Sequence, residues 1–94
     1  MNIHPGEMLK EEFLDALGIS AYKLAKELNV SQTRVNKIIR QEVGISGEMA
    51  LRLSKFFGNS PEFWLNLQSF YEIRKVQNEK QDEINKIQPY KKVS

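Results

Sequence analysis

The sequence has 94 residues, enough for one small domain but too few for two independent hydrophobic cores. Apolar residues make up 40% and charged residues 28%, a composition typical of folded globular proteins. With no cysteine and one histidine, disulfide frameworks and thiol nucleophiles are excluded, and a metal site or catalytic triad is not expected. No apolar run is long enough to span a membrane, and residues 1–5 do not resemble a signal peptide. Together with the scarcity of cysteine and histidine, these features lead us to expect a cytoplasmic, non-enzymatic protein without a cofactor.

The net charge of +2 is small, but the positive charge is concentrated in the middle of the chain. Residues 31–58 carry five basic side chains against two acidic ones, whereas residues 1–30 have an excess of two acidic side chains. Residues 59–94 have an excess of one basic side chain. A solvated helix face can carry a similar excess, so the charge indicates a nucleic-acid partner only if a binding motif accompanies it.

The spacing of apolar residues predicts five helices in an all-α chain. Each predicted helix begins at a capping residue or a proline, and the first four end at a glycine or an asparagine. In chain order the predicted starts and ends are Pro5 and Gly18, Ser20 and Asn29, Ser31 and Gly44, Ser46 and Gly58, and Ser60-Pro61 for the fifth helix. The first helix carries its apolar residues at Met8, Leu9, Phe13, Leu14 and Leu17.

Residues 21–40 fit the pattern of a helix-turn-helix motif. Ala25 is the small residue that the motif needs where its two helices cross. Asn29 stands at the turn position that requires a left-handed backbone, where asparagine is the next best residue after glycine. Val35 and Ile38 are spaced to pack the second helix against the first. The sequence therefore predicts a DNA-binding helix pair.

The outer face of the second helix of this motif carries polar side chains that can recognise DNA. Four of them are predicted to contact bases: Gln32, Thr33, Asn36 and Lys37. Six residues beside this face or at the start of the preceding helix are predicted to contact phosphates: Ser20, Tyr22, Lys23, Ser31, Arg34 and Arg40. The alternative is an ordinary solvated helix face, which the turn pattern and the local charge do not favour.

The fifth predicted helix has more apolar residues than one core contact can bury. Six of them are assigned to a dimer or partner interface: Phe63, Trp64, Leu67, Phe70, Tyr71 and Ile73. The alternative is a central helix wrapped by the rest of a small protein. Because helix-turn-helix proteins read two half-sites about 34 Å apart by two-fold symmetry, the interface interpretation favours a homodimer.

The chain is divided at residue 76 into a DNA-binding domain and a polar extension, residues 77–94, expected to be partly disordered. Four residues, Ile73, Val76, Ile84 and Ile87, share one helical face, so the fifth helix can extend beyond this boundary. Pro89 must end any such helix, and residues 89–94 are expected to be disordered.

Several motifs are similar to those of the HigA/VapI-type antitoxins, over roughly residues 3–74. They are His4-Pro5-Gly6-Glu7, Leu24-Ala25, Val30-Ser31, Ala50-Leu51-Arg52-Leu53, and the specific string Ser60-Pro61-Glu62-Phe63-Trp64-Leu65-Asn66-Leu67-Gln68. The resemblance implies a five-helix, lambda-repressor-like (Xre/Cro) helix-turn-helix domain with a C-terminal helical extension. It also implies a dimer that represses its own operon by binding double-stranded DNA at the promoter operator, and that neutralises a HigB/RelE-like mRNA endonuclease toxin.

Two alternatives to an antitoxin remain open. A stand-alone transcriptional repressor without a toxin would have the same DNA-binding residues. An enzyme would have to use His4, Glu7 and Glu11. The simpler interpretation of that cluster is that the glutamates complement the helix dipole and that the histidine near the terminus is solvated.

Overall fold

The computed structural model describes residues 2–90, and the regular elements of this part of the chain are all helical. Helix α1 begins as an α-helical turn, Pro5–Met8, and continues in π-helical geometry over Leu9–Asp15. The other helices are α2 (Ala21–Leu28), α3 (Gln32–Ile39), α4 (Gly47–Phe57) and α5 (Pro61–Asn85). The prediction of five helices in an all-α fold is confirmed.

Local side-chain caps explain where four of the helices begin. In each of them a serine hydroxyl accepts a hydrogen bond from the backbone N–H three residues later, at 3.0–3.2 Å. The four predicted capping residues are Ser20, Ser31, Ser46 and Ser60. Helices α2 and α4 end at residues with left-handed backbones, Asn29 (φ 58°) and Gly58 (φ 78°), as predicted.

The prediction that Gly44 ends the third helix is wrong. Helix α3 ends at Ile39, and the chain turns at Gln41, whose φ is 64°. Gly44 instead packs against α5, because a Cβ atom there would overlap the side-chain amide of Gln68 and displace it. The Oε1 atom of Gln68 accepts a hydrogen bond from the N–H of Ile45 at 2.7 Å, which ties the α3–α4 loop to α5.

The expectation that His4 is solvated is also wrong. Only 5% of this residue is exposed. Its Nδ1 accepts a hydrogen bond from the N–H of Gly6 at 2.8 Å and so caps α1. Burial lowers the pKa of His4 below its ordinary value of 6.5, with the nearby charge of Glu7 acting in the opposite direction.

The core lies between α1, the helix-turn-helix pair, α4 and the first turns of α5. Its buried hydrophobic residues are Leu9, Leu14, Leu24, Ala25, Leu28, Val35, Ile38, Ile45, Met49, Ala50, Leu53 and Trp64. In α1 the buried Leu9 and Leu14 are five residues apart, about one turn in a helix whose hydrogen bonds join residues i and i+5. Leu17, which follows this helix, is 59% exposed. Leu17, the last residue of the predicted apolar series, therefore lies outside the core.

Helix α5 is long enough to project from this core. Its 25 residues span roughly 37 Å, and the described chain measures 51 × 23 × 22 Å. The helix passes through residue 76 without a break and has its one non-helical backbone at Lys80 (φ −135°, ψ 16°). The predicted helical extension is confirmed as far as Asn85. Residues 89–94 are expected to be disordered, and residues 91–94 of this segment lie outside the described residues.

None of the helices formed by residues 2–90 has both the length and the apolar character that a membrane-spanning helix requires.

Candidate nucleic-acid interface

Helices α2 and α3 pack as the two helices of a helix-turn-helix. Ala25, only 3% exposed, lies in the core with Val35 and Ile38 of α3, which are 1% and 3% exposed. The turn between them is closed by a hydrogen bond from the N–H of Val30 to the carbonyl of Ala25 at 3.0 Å, with Asn29 in the left-handed conformation. The predicted motif is confirmed residue by residue.

The polar residues of α3 lie on its outer side, because Val35 and Ile38 hold the opposite side against the core. Gln32, Thr33 and Lys37 are exposed, and Asn36 is half-buried. These residues occupy the first two turns of the helix, the part that enters the major groove in helix-turn-helix proteins. The geometry is therefore compatible with base contact by all four side chains.

The six predicted phosphate-contacting residues are all exposed. The hydroxyls of Ser20 and Ser31 accept the capping bonds of α2 and α3, but each still has an O–H that can donate to a phosphate oxygen. The first turns of α2 and α3 contain no acidic residue, whereas those of α1, α4 and α5 contain Glu7, Glu48 and Glu62. The positive ends of the α2 and α3 dipoles are thus left available for an anion.

The basic residues around α3 differ in their ionic partners. The three basic residues predicted to contact phosphates each lie within 4 Å of a glutamate carboxylate; they are Lys23, Arg34 and Arg40. Among the ion pairs formed by residues 2–90, none includes Lys37, which is predicted to contact bases.

Neither Arg52 nor Glu48 is among the residues predicted to contact DNA, although both support this surface. The Nη1 atom of Arg52 donates to the carbonyl of Leu28 at 2.8 Å, which joins α4 to the end of α2. Its Nε and Nη2 atoms contact the Oε2 atom of Glu48 at 3.0 and 2.9 Å. The spacing of these residues, four apart on one helix, is the sequence signal that could have revealed their pairing.

The six residues assigned to a dimer or partner interface do not all lie on the surface. Phe63, Phe70 and Ile73 are 37%, 66% and 54% exposed, and Leu67 and Tyr71 are half-buried.

The assignment of Trp64 to a dimer or partner interface is wrong, because Trp64 is completely buried within the single chain. Its ring lies 4.8 Å from that of Phe13 and 5.9 Å from that of Phe57, measured between centroids. Its indole N–H donates to Oδ1 of Asn59 at 2.9 Å. Trp64 therefore anchors α5 in the core and is not available to a second chain.

The exposed apolar residues of α5 continue beyond the predicted set. Val76 and Ile84 are 41% and 40% exposed, and with Ile73 they line a shallow groove of about 590 Å³. We refer to Phe70, Ile73, Val76 and Ile84 as the α5 apolar surface. It lies on the projecting helix, beyond the residues that form the core.

Comparison with known proteins identifies the family. Residues 9–64 match the family model described as helix-turn-helix. The chain is 47% identical over 87 residues to virulence-associated protein I of Dichelobacter nodosus, a match that covers 93% of this chain and 80% of that protein.

Two solved structures of DNA complexes resemble the chain closely. The Pseudomonas aeruginosa antitoxin HigA, solved with the higBA promoter, is 42% identical with a TM-score of 0.90, covering 97% of this chain and 100% of that one. The antitoxin GraA in complex with its operator is 44% identical with a TM-score of 0.89, covering 97% and 93%. The chain therefore belongs to the helix-turn-helix family of HigA- and VapI-type antitoxins, whose role is regulatory rather than enzymatic.

Proposed function

We propose that this protein is the antitoxin of a type II toxin–antitoxin system and represses its own operon in the cytoplasm. The observation that carries the proposal is the exposed polar face of α3 in the helix-turn-helix. It is supported by the 42% identity of this chain to the antitoxin HigA that was solved with the higBA promoter. In the proposed complex α3 enters the major groove, and Gln32, Thr33, Asn36 and Lys37 contact base edges.

Phosphate contacts fix the position of α3 in this proposal. The N-terminus of α2 lies against one strand, where Ser20, Tyr22 and Lys23 are exposed. Ser31, Arg34 and Arg40 contact phosphates on either side of the recognition face. Such contacts provide affinity for any duplex, whereas the base contacts select the operator.

We propose that two copies bind the operator as a homodimer joined through the α5 apolar surface. Support comes from the exposure of Phe70 and Ile73, which are more than half accessible in the single chain. Contiguous exposed apolar surface is typical of protein interfaces. A two-fold dimer would also present two copies of α3 to two half-sites.

Neutralisation of a HigB/RelE-like mRNA endonuclease is proposed from the family relationship. The decisive experiment induces the short reading frame adjacent to this gene in bacteria, with and without co-expression of this protein. Growth arrest that co-expression relieves would support the antitoxin role. A harmless neighbour, or an arrest that is not relieved, would leave a stand-alone repressor as the alternative.

The DNA-binding part of the proposal has its own test. Purified protein is titrated against a labelled duplex containing the promoter of its gene and against a scrambled duplex of equal length. Binding to the promoter at concentrations at least tenfold below those needed for the scrambled duplex is expected, because specific affinities commonly exceed non-specific ones by about 10³ or more. Equal affinity for both duplexes would contradict operator recognition.

A further inference from the structure

Each cation predicted to contact a phosphate is paired with a glutamate in the free protein. Lys23 Nζ lies 3.0 Å from Glu27 Oε2, and Arg40 Nε lies 2.9 Å from Glu42 Oε2. Arg34 Nη2 lies 3.8 Å from Glu48 Oε1. Glu42 and Glu48 are the two acidic residues among residues 31–58, so the acidic side chains of this basic segment are placed beside its DNA-facing arginines.

In the ion pair between Arg34 and Glu48, the carboxylate of Glu48 is held more firmly than the guanidinium of Arg34. Glu48 Oε2 is bound by two nitrogens of Arg52, and Arg52 is itself anchored to the carbonyl of Leu28 at 2.8 Å. The other oxygen, Oε1, faces Arg34 at a longer distance of 3.8 Å. Glu48 is therefore fixed to α4, whereas the guanidinium of Arg34 can leave it without disturbing that anchor.

We propose that Glu27, Glu42 and Glu48 set the DNA affinity of this protein by competing with phosphate for its basic side chains. The inference rests on the proposed operator binding and deepens it. In the free protein the three carboxylates hold Lys23, Arg34 and Arg40. On binding, each cation exchanges its carboxylate for a phosphate oxygen, and the carboxylate stays close to the DNA.

The exposure of the pairs makes this exchange possible. The side chains of the three pairs are between 39% and 59% exposed, and exposed ion pairs are individually weak and screened by salt. A phosphate can therefore displace a carboxylate. The displaced carboxylate then repels the phosphate, so each glutamate lowers the affinity for duplexes of any sequence.

The test measures dissociation constants for the promoter duplex and a scrambled duplex at several salt concentrations. Glu27→Gln and Glu42→Gln are expected to bind both duplexes about 3–10-fold more tightly than the wild type at low salt. The gain is expected to shrink as salt is raised, because the screening length falls to about 3 Å at 1 M. Glu42→Asp keeps the charge and is expected to bind like the wild type.

Asp15→Asn is the matched control. It also raises the net charge by one and also breaks an exposed ion pair, with Lys10 at 2.9 Å, but it lies in α1, outside the helix-turn-helix. We expect it to change DNA affinity less than about twofold. Thermal unfolding of every variant checks that the fold is intact. Glu48→Gln also loses the contact with Arg52, so its DNA affinity is compared with that of Glu42→Gln.

The inference is overturned if Glu27→Gln and Glu42→Gln bind no more tightly than the wild type. It is also overturned if their gain in DNA affinity is no larger than that of Asp15→Asn, since the change in net charge alone would then explain the result. A wild type that does not prefer its promoter would contradict the proposed function instead. The two failures are therefore distinguishable in one set of titrations.

Discussion

The imidazole ring of His4 lies edge-on to the phenol ring of Tyr71, with centroids 4.8 Å apart and ring planes at 71°. The same imidazole accepts a hydrogen bond from Gly6, whose Cα packs so closely on the carbonyl of Ile38 that a Cβ atom would overlap it. One short N-terminal segment therefore contacts both the last turn of α3 and the middle of α5. Its conformation depends on a neutral His4, because protonated Nδ1 could not accept the Gly6 bond.

Stability is expected to fall as the pH is lowered through the range in which His4 titrates. Burial holds the pKa of His4 below 6.5 in the folded protein, so the unfolded chain binds the proton more tightly. The contribution of neutral His4 is therefore complete above about pH 6.5 and is lost as the pH falls from there toward the lowered pKa. Thermal unfolding midpoints measured between about pH 7.5 and about pH 5.5 would show this decline.

His4→Asn is the control for this titration. Asparagine can cap α1 with its side-chain oxygen but does not titrate. Because His4 is the single histidine of the sequence, the variant should show a clearly flatter pH dependence over the same range. Identical slopes for the variant and the wild type would show that another group is responsible.

Loss of a side chain that is predicted to contact a base is expected to reduce specific binding selectively. Replacing Gln32 or Lys37 by alanine should cost about 1–3 kcal/mol on the operator, because each side chain is exposed in the first two turns of α3. Binding to a scrambled duplex should change less. A loss of equal size on both duplexes would remove the residue from the base-contacting set.

Arg40→Ala is expected to behave differently from those variants. Arg40 lies at the C-terminal end of α3, where a phosphate contact is predicted, so its loss should weaken binding to duplexes of all sequences. The slope of log K against log salt concentration should also become shallower by about 0.9, the value for one phosphate contact. An unchanged slope would contradict the phosphate contact.

The parts of the fold that depend on local chemistry could be predicted from the sequence. Serine caps such as Ser31 and the left-handed turn at Asn29 depend on hydrogen bonds and backbone preferences within a few residues. The outward face of α3 follows from helical periodicity once Val35 and Ile38 are assigned to the core. These features define the candidate DNA surface, so its residues can be predicted from local sequence patterns.

The parts that depend on distant packing could not be predicted. Periodicity places Trp64 on the apolar side of α5, but its burial depends on packing against residues from other parts of the chain, such as Phe13 and Phe57. The burial of His4 likewise depends on Tyr71, which is 67 residues further along the chain. The pairing of Arg34 with Glu48 requires α3 and the start of α4 to be placed relative to each other.

Ala25→Leu is expected to destabilise the helix-turn-helix by overpacking it. Ala25 is only 3% exposed, and its carbonyl closes the turn by accepting the bond from Val30. A larger side chain there should lower the free energy of unfolding by about 1–3 kcal/mol. Denaturant unfolding measures this, with Ala16→Leu, at the exposed residue that follows α1, as the control. Equal stability of the two variants would contradict a tight helix crossing at Ala25.

Charge placed on the α5 apolar surface is expected to dissociate the proposed homodimer. Phe70→Glu and Ile73→Glu replace side chains that are 66% and 54% exposed, so the single chain should keep its fold. Burying either carboxylate in an apolar interface without a partner would be costly, and sedimentation should therefore detect monomers. Leu17→Glu, at a position 59% exposed just after the first helix, serves as the control and should leave the dimer intact. Dimers that persist in both α5 variants, or a wild type that is already monomeric, would contradict dimerisation through this surface.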